Sequence, residues 1–277
     1  MTISKTSFSV GFIGGGNMAR SIIGGLRADE TLNLELHVFD PSVETLKSLE
    51  QEFNTHSADS NQAMLDNCDV IVLAVKPQAM QSVLTELDAS NSSTLFISIA
   101  AGLTIRTLSK WLGSEVALIR TMPNTPALVQ CGATGLYANN AVSSDHRDLA
   151  DIIIKSTGIG LWVDSEDLLD AVTALSGSGP AYYFLVMEAM QAAAEKLGLS
   201  TETARELTLQ TALGAASLAK QSTDTSAELR QRVTSPNGKT EEAINSLIEN
   251  DLLKIFEQAM QAAYKRSKEL AIELDQT

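Results

Sequence analysis

The chain has 277 residues, of which 44% are hydrophobic, and carries a net charge of −14. This length suits two domains, and this hydrophobic content can build a sizeable core. A strongly negative surface disfavours non-specific binding to nucleic acid or anionic lipid, because binding to either polyanion needs positive charge on the protein.

Short β-rich runs alternate with helical patterns through residues 1–165. The runs are residues 8–13, 34–39, 70–75, 95–99, 116–120 and 135–137. Such alternation is typical of a parallel sheet with crossover helices. The run 70–75 is continuously apolar, which predicts a central strand covered by helices on both faces.

A strand-turn-helix pattern at the start of the chain carries the sequence Gly14, Gly15, Gly16, Asn17, Met18, Ala19. This G-x-G-x-x-A pattern is typical of dinucleotide binding. Gly14 permits the tight turn, Gly16 lets the backbone approach a pyrophosphate, and the helix N-terminus then faces the phosphates. The alternative is a glycine-rich turn that only connects strand to helix; the strand alternation favours the cofactor.

Asp40 ends the second run, about 20 residues after the glycine pattern, where an acid can accept hydrogen bonds from the adenosine ribose and would repel a 2′-phosphate. The residue therefore favours NADH. The alternative is that Asp40 opens the turn through Pro41 and Ser42 and caps the following helix.

The second half of the chain, after Trp162, is rich in Ala, Leu, Glu and Gln and lacks strand-like runs, which predicts helices. Pro180 suits a first helical turn, Gly198 a helix stop and Ser200 the next cap. Residues 240–242 begin another helix with acids in its first turn. We therefore expect a Rossmann-type α/β domain with a mostly parallel sheet at 1–165 and an all-α domain at 166–277.

The sequence offers only weak candidates for a catalytic histidine or for a metal site. His37, His56 and His146 fit surface positions, and no His, Cys or carboxylate cluster has ligand spacing, so we expect no metal. A reductase without a catalytic histidine suits an electrophilic substrate such as a protonated imine, whose reduction requires no proton at the moment of hydride transfer.

The two cysteines, Cys68 and Cys131, are far apart and form no C-x-x-C pair, which fits a reducing compartment. The N-terminus has one basic residue, Lys5, and no signal-peptide core, and no apolar run approaches the length of a membrane span. We expect a cytoplasmic protein with no membrane partner.

Several motifs in order along the chain resemble those of the pyrroline-5-carboxylate reductase family. The first four, in the Rossmann half, are residues 10–18 (Val-Gly-Phe-Ile-Gly-Gly-Gly-Asn-Met), 74–77 (Ala-Val-Lys-Pro), 98–102 (Ser-Ile-Ala-Ala-Gly) and 120–127 (Arg-Thr-Met-Pro-Asn-Thr-Pro-Ala). Two more lie in the helical half, at 176–182 (Ser-Gly-Ser-Gly-Pro-Ala-Tyr) and 234–240 (Thr-Ser-Pro-Asn-Gly-Lys-Thr). The last is the most specific.

The resemblance implies reduction of L-Δ1-pyrroline-5-carboxylate to L-proline with NADPH or NADH, the last step of proline biosynthesis. It implies cofactor contacts from the glycine loop, from Asn61 and from two further segments, which are Ala74, Val75, Lys76 and Pro77, and Ile99, Ala100 and Ala101. It also implies a homodimer or higher homo-oligomer built through the C-terminal helices.

By the same resemblance, Ser235, Lys239 and Thr240 bind the substrate carboxylate, on backbone N–H groups and hydroxyls before a helix. Thr240 would add a hydrogen bond near the ring nitrogen and so orient the imine carbon, which makes it the candidate catalytic residue. The alternative for residues 235–240 is a plain turn with Thr240 capping the next helix.

Two positions depart from the family pattern. Asp40 stands where members using NADP usually carry small, hydroxyl or basic residues. Asn237 stands where Gly is usual, but Asn tolerates a left-handed backbone better than other non-Gly residues, so we expect the turn to persist. Lys76 and Arg120 could each neutralise an anionic ligand or satisfy local carbonyl groups.

Two other functions remain open from the residues. A β-hydroxyacid-type dehydrogenase would use a catalytic lysine in the helical domain, for which Lys196 and Lys220 are the candidates, although both lie near predicted helix ends. A non-catalytic dinucleotide sensor would keep the glycines and use its helices only for dimerisation and partner binding. The hydroxyls retained in residues 235–240 favour the reductase.

Overall fold

A computed structural model describes residues 7–90, 92–113 and 115–275. By packing, the chain forms two compact units. The first contains the described residues up to Ser178 together with those from Ala263 onward, and the second is Gly179–Ala262. The predicted division at 165/166, which rests on the change in residue composition, stays a prediction, and the division by packing falls at other residues.

The first unit is built on one eight-stranded sheet. The strands are β1 (Ser7–Ile13), β2 (Asn33–Phe39), β3 (His56–Ser57), β4 (Val70–Leu73), β5 (Leu95–Ser98), β6 (Leu118–Met122), β7 (Gly132–Ala138) and β8 (Gly158–Trp162). Their order is β3-β2-β1-β4-β5-β6-β7-β8. Every neighbouring pair is parallel except β6 with β7, so the predicted mostly parallel sheet is confirmed.

In the part of the chain that the structure describes, seven α-helices connect or follow these strands, and they lie on both faces of the sheet. They are α1 (Asn17–Ala28), α2 (Val43–Phe53), α3 (Asn61–Asn67), α4 (Pro77–Leu84), α5 (Ile105–Leu112), α6 (Ser144–Lys155) and α7 (Leu168–Val172). A 3-10 helix spans Thr125–Val129, and a π-helix spans Thr173–Gly177.

Two hydrophobic clusters, one on each face, form the core of this unit. Side chains of α1, α2 and α6 join one cluster, and those of α3, α4 and α5 join the other. In β4 the residues alternate: Val70 and Val72 face the first cluster, and Ile71 and Leu73 face the second. The prediction of a central strand buried on both faces is therefore confirmed.

The second unit is entirely helical in the described residues, as predicted. Its helices are α8 (Gly179–Lys196), α9 (Thr201–Gln221), α10 (Ser226–Arg232), α11 (Lys239–Glu249) and the first part of α12 (Leu252–Asp275). Gly198 has a left-handed φ of +101°, which ends α8 as its sequence position predicted. The Ser200 hydroxyl accepts the Thr203 N–H and caps α9.

Two strands were not predicted. β3 has only two residues, and β8 contains Gly158 and Gly160, which weaken a strand pattern. β8 instead depends on a close approach to β7, since a Cβ on Gly158 would lie 2.1 Å from the Gly132 carbonyl oxygen. Within the described ranges, no helix is both long and apolar enough to span a membrane.

Candidate dinucleotide and substrate site

The loops after β1, β4 and β5 meet at one edge of the sheet because these three strands are adjacent and parallel. Backbone hydrogen bonds continue the pairing past the strand ends: the Ala74 N–H donates to Ile13 O at 2.8 Å, and the Ile99 N–H to Leu73 O at 3.3 Å. Ligands of open α/β sheets bind at this carboxyl edge. The structure thus brings the predicted cofactor segments of the first unit together.

Gly14 and Gly15 sit where side chains cannot fit. Gly14 has φ +99°, and a Cβ there would lie 2.9 Å from the backbone oxygen of Ala74. A Cβ on Gly15 would lie 2.6 Å from the Thr45 side chain. The first predicted role is therefore visible in the backbone: Gly14 allows the turn that places the loop against the next strand.

Gly16 has a different environment, because a Cβ there would meet nothing within 4 Å. It is the N-cap of α1, provides no side-chain cap, and is followed by a first turn without acidic residues. Gly16 and Asn17 are exposed and Met18 is partly buried. A helix N-terminus with open space and no competing carboxylate fits an anionic pyrophosphate.

The carboxylate of Asp40 is fixed by two backbone amides. Its Oδ2 accepts the Gly15 N–H at 2.8 Å, and its Oδ1 accepts the Ser42 N–H at 2.9 Å. The capping role belongs to Ser42, whose hydroxyl accepts the Thr45 N–H at the start of α2. Asp40 therefore holds the glycine loop and the turn after β2, and its remaining lone pairs can accept further hydrogen bonds.

The segment after β4 leads into α4, which, like α1, begins without a side-chain cap. Lys76 is the N-cap of α4 and is exposed, and Pro77 occupies the first turn. Ala74 and Val75, which precede this helix, are partly buried. The strand ends at Leu73, before the predicted residue 75, because the chain turns here towards the proline-initiated helix.

The segment after β5 consists of Ile99, Ala100 and Ala101, followed by Gly102 with φ +81°. Ala100 is buried, Ile99 is partly buried and Ala101 is exposed. The Ser98 hydroxyl accepts the Ala100 N–H at 3.4 Å. Of the three residues, Ala101 is therefore the one that the loop presents to solvent.

Asn61, the first residue of α3, contains a buried polar atom without a partner. Its Oδ1 has no hydrogen-bond donor among the described residues. α3 follows β3, which pairs with β2 next to the strand end that carries Asp40. An orphaned buried acceptor is costly unless a donor reaches it. A dinucleotide hydroxyl or amine could supply that donor, so this residue also fits the group.

Ser235, Lys239 and Thr240 lie in the second unit, together in one turn and helix start. The Gly238 N–H donates to Ser235 O at 3.0 Å, and Asn237 has φ +56°, so the prediction that Asn237 keeps the left-handed turn is confirmed. Gly238 is the N-cap of α11 and provides no side-chain cap. Thr240 is therefore not the cap; it occupies the first turn.

The charges around this helix start are mixed. The Asn237 N–H donates to Glu241 Oε2 at 2.7 Å, which ties that carboxylate to the turn. Glu242 also lies in the first turn, and Lys239 is exposed.

Six helices of the described residues begin with a hydroxyl side chain that caps them. These helices are α2, α3, α5, α6, α9 and α10. The helices α1 and α4 of the first unit and α11 of the second, which carry predicted site residues, begin without such a cap, as does α7.

Arg120 is buried in an ion pair. Its Nη1 donates to Glu166 Oε1 at 2.9 Å, and the same oxygen accepts the Ile105 N–H at the start of α5. Within the described residues this guanidinium is therefore engaged with the protein itself. Sequence reasoning missed Glu166, because its pairing joins residues far apart in the chain.

Asn124 was also missed as an organising residue, although it stands in a quoted motif. Its Oδ1 accepts the Ala133 N–H at 2.9 Å, and its Nδ2 donates to Ser176 O at 3.0 Å. It thus ties the loop after β6 to the π-helix that precedes α8. The position of a polar amide directly after Pro123, at a strand end, was the available signal.

The histidines and lysines that were considered as catalytic residues belong to other secondary-structure elements than these loops. His37 lies within β2, with its ring 5.3 Å from that of His56, and His146 forms the capping box of α6 with Ser143. Lys196 and Lys220 occupy the last turns of α8 and α9 and are exposed.

Two family models match the chain. Residues 166–270 match "Pyrroline-5-carboxylate reductase dimerisation", and residues 9–102 match "NADP oxidoreductase coenzyme F420-dependent". The two matches fall on the helical part and on the glycine-loop part of the chain, respectively.

Similar proteins agree with these models over nearly the whole chain. A pyrroline-5-carboxylate reductase of Pseudomonas aeruginosa is 51% identical over 268 residues, which is 96% of this chain and 98% of that protein. One of Escherichia coli is 36% identical and covers 95% of this chain and 98% of its own.

Solved structures give the same result. A pyrroline-5-carboxylate reductase from Coxiella burnetii has a TM-score of 0.92 at 45% identity and covers 96% of this chain and 99% of that one. The enzyme of Plasmodium falciparum, solved with NADP bound, has a TM-score of 0.82 at 33% identity and covers 95% and 98%. Since fold, loops and sequence agree along both units, the chain belongs to the pyrroline-5-carboxylate reductase family.

Proposed function

We propose that the protein reduces L-Δ1-pyrroline-5-carboxylate to L-proline with NADPH or NADH, the last step of proline biosynthesis. One observation carries the proposal: the chain combines a glycine loop leading into an uncapped helix in its first unit with an uncapped hydroxyl-bearing helix start in its second. Relatives bearing the enzyme's name match both units.

The first unit would hold the dinucleotide. Gly14, Gly16, Asn17 and Met18 would bind the pyrophosphate through backbone N–H groups at the start of α1, because its N-terminus is open and uncapped. Asp40 and Asn61 offer acceptors to the adenosine half. The segments 74–77 and 99–101 would flank the nicotinamide, which supplies a hydride to the imine carbon when it is bound.

The second unit would hold the imino acid. Backbone N–H groups at the start of α11, with the Ser235 hydroxyl and the Lys239 ammonium, would bind the substrate carboxylate. Lys239 offsets the negative charge of Glu241 and Glu242 in the same turn. The Thr240 hydroxyl would hydrogen-bond near the ring nitrogen and orient the imine carbon, which is a positioning effect.

The proposed reaction assigns no residue the role of a proton donor, and this fits an imine substrate. The imine nitrogen is already protonated when the hydride arrives, so the product amine forms without a simultaneous proton transfer. His37, His56 and His146 have structural settings in strands or a helix cap. The proposal therefore needs only residues that bind and orient.

Asp40 supports acceptance of NADH. Two backbone amides hold its carboxylate at the end of β2, so the acceptor is fixed before a ribose arrives. A 2′-phosphate placed there would meet a like charge. The related enzyme from Plasmodium falciparum was solved with NADP bound, so kinetics with both cofactors is needed to measure the preference of this chain.

The protein would act as a homo-oligomer assembled through its C-terminal helices. The first half of α8, residues 180–187, contains no charged side chain, yet its Tyr183, Phe184 and Leu185 are each more than 60% exposed in the single chain. Large apolar side chains exposed together on one surface mark an interface with another protein. The dimerisation model matches residues 166–270, which contain this helix.

We also propose a cytoplasmic location. Cys68 is buried, and burial, with smaller effects from the charges of Asp69 and Glu35, raises the pKa of its thiol to about 12. Cys131 is exposed and free. An unpaired exposed thiol suits a reducing compartment.

The test follows the absorbance of NADH and, separately, NADPH when purified protein meets L-Δ1-pyrroline-5-carboxylate, with proline identified as the product. We expect oxidation that depends on the imine and yields proline. Dinucleotide binding without imine turnover would overturn the proposal and favour a sensor, and oxidation or reduction only with β-hydroxyacids would favour the dehydrogenase.

A further inference from the structure

The last three turns of α12, residues 263–275, pack with the first unit although the helix begins in the second. We call these residues the 263–275 segment. Three groups of contacts join it to the first unit, and two of them converge on the chain that directly follows β5. That chain contains Ile99, Ala100 and Ala101, which would flank the nicotinamide.

The first contact is apolar and involves Gly102. A Cβ on Gly102 would lie 3.0 Å from Leu274 Cδ1 and 3.9 Å from Leu270 Cβ. These two leucines therefore cover the backbone of the residue next to Ala101. Gly102 also has φ +81°, so its lack of a side chain serves both the turn and the close approach of α12.

The second contact is polar and lies at the start of α5. The Thr107 hydroxyl, which is buried, donates to Asp275 Oδ1 at 2.6 Å, and Arg106 pairs with the other carboxylate oxygen. Thr107 also accepts a hydrogen bond from the hydroxyl of Thr104, the N-cap of α5, at 2.8 Å. The segment is thus tied to the residues that end the loop.

The carboxylate in this contact is ionised at neutral pH. The hydrogen bond from Thr107 lowers the pKa of Asp275, and the charges of Arg106 and Lys110 lower it further. A hydrogen bond to an ionised acceptor is stronger than one between neutral groups. Thr107 and Asp275 therefore form a specific link rather than a loose surface contact.

The third contact anchors the other end of the segment. The Ser267 hydroxyl donates to Asp170 Oδ1 at 2.6 Å, and both residues are buried. Asp170 belongs to α7, which contacts β6 and β7. The segment is thereby fixed against the sheet unit at Ser267 and again at its last turn, which contacts the residues that follow β5.

We propose that the 263–275 segment positions the loop of Ile99, Ala100 and Ala101 for the nicotinamide ring, with Thr107 and Asp275 as positioning residues. The proposal rests on the proposed function, because that function assigns the loop to the nicotinamide. It predicts that loosening the segment disturbs the nicotinamide half of the cofactor and leaves the adenosine half in place, since Gly14, Gly16 and Asp40 have no part in these contacts.

The first test compares Thr107→Val, which removes the hydroxyl at nearly constant volume, with Thr107→Ser, which keeps it. We expect Thr107→Val to lower kcat/KM with the imine by about tenfold, because a hydrogen bond to a charged group is lost. Thr107→Ser should recover most of that loss. The affinity for ADP-ribose, which lacks the nicotinamide, should stay within about twofold of the wild type in both.

The second test uses two acids on the same helix, in case the buried Thr107 site does not tolerate change. Asp275→Ala removes the link to Thr107, whereas Glu273→Ala removes only an ion pair with Arg266 on the exposed face. Either replacement removes an acid near a helix C-terminus, which alone favours the helix. We expect only Asp275→Ala to lower kcat/KM.

Three outcomes would overturn the proposal: wild-type kcat/KM in both Thr107→Val and Asp275→Ala, an equal loss in Glu273→Ala, or a parallel loss of ADP-ribose affinity. The last two would mean a general loss of structure. Failure of the proposed function is distinguishable, because the wild-type protein would then bind ADP-ribose without turning over the imine.

Discussion

At the scale of single residues, the proposed dinucleotide site and the proposed substrate site each depend on a few polar groups that can be removed one at a time. Asp40 accepts backbone N–H groups of Gly15 and Ser42, so it has a structural role as well as a proposed recognition role. Thr240 makes no cap for α11, because Gly238 occupies that position. Its hydroxyl is thus available to a ligand.

Thr240→Ala should lower kcat with the imine by about 10- to 100-fold, because the substrate loses an orienting hydrogen bond. The dissociation constant of NADH, measured by fluorescence titration, should change by less than about twofold. Thr240→Ser, which keeps a hydroxyl, serves as the control and should retain most of the rate. Unchanged turnover in the alanine variant would remove Thr240 from the mechanism.

Asp40→Ser should raise kcat/KM for NADPH relative to NADH by about fivefold or more, because a charge facing the 2′-phosphate is removed. Steady-state kinetics with each cofactor gives the ratio. Asp40→Asn tests the cause, since it removes the charge while its single amide oxygen can still accept one of the two backbone N–H groups, that of Gly15 or that of Ser42. If only the serine variant changed the ratio of kcat/KM for NADPH to that for NADH, the cause would be a loosened glycine loop and not the loss of repulsion between Asp40 and the 2′-phosphate.

At the scale of elements, neighbouring glycines in α1 have different surroundings. A Cβ on Gly25 would lie 2.2 Å from the backbone oxygen of Ser156, whereas a Cβ on Gly24 would lie 3.1 Å from the edge of the Phe53 ring. A backbone carbonyl cannot move without shifting its segment, but a ring can rotate. Gly25 is thus the residue that lets α1 approach the end of α6.

Gly25→Ala should therefore lower the free energy of unfolding by about 2 kcal/mol or more through overpacking. Gly24→Ala should stay within about 1 kcal/mol of the wild type, because the gain in helix propensity offsets a small displacement of Phe53. Urea unfolding followed by circular dichroism measures both. Equal effects would show that α1 can shift freely against the chain after α6.

Some elements and site residues could be predicted because their signals are local. The apolar run 70–75 indicates a buried strand, and three glycines between a strand and a helix indicate a dinucleotide loop. β8 could not be predicted, since it depends on the contact between Gly158 and Gly132. The ion pair of Arg120 with Glu166 and the link of Thr107 with Asp275 join distant residues, so only packing reveals them.

At the scale of the whole molecule, the helical unit exposes many large apolar side chains in the single chain. Its exposed hydrophobic residues include Tyr183, Phe184, Leu185, Leu213, Leu247 and Phe256. Extended exposed apolar surface marks an interface between proteins. Assembly through these helices would bury it, in agreement with the match to a dimerisation model.

Leu185→Glu should therefore shift the protein towards smaller species, because it places a charge on an exposed apolar helix face within the matched region. Light scattering coupled to size exclusion measures the mass. Val43→Glu is the control, since Val43 is also exposed but lies outside residues 166–270. An unchanged mass for Leu185→Glu, or an equal shift for Val43→Glu, would place the interface elsewhere.

The lack of a side-chain cap at the start of α1 also affects how the protein can evolve. Gly16 provides no side chain to satisfy the first amides of the helix, although Ser, Asp or Asn there would each stabilise it by a few tenths of a kcal/mol relative to Gly. Such a residue would occupy the same amides that a pyrophosphate uses. Selection for heat resistance alone would therefore favour replacement of Gly16 and sacrifice cofactor binding, whereas selection for activity keeps a helix that is complete only with its ligand.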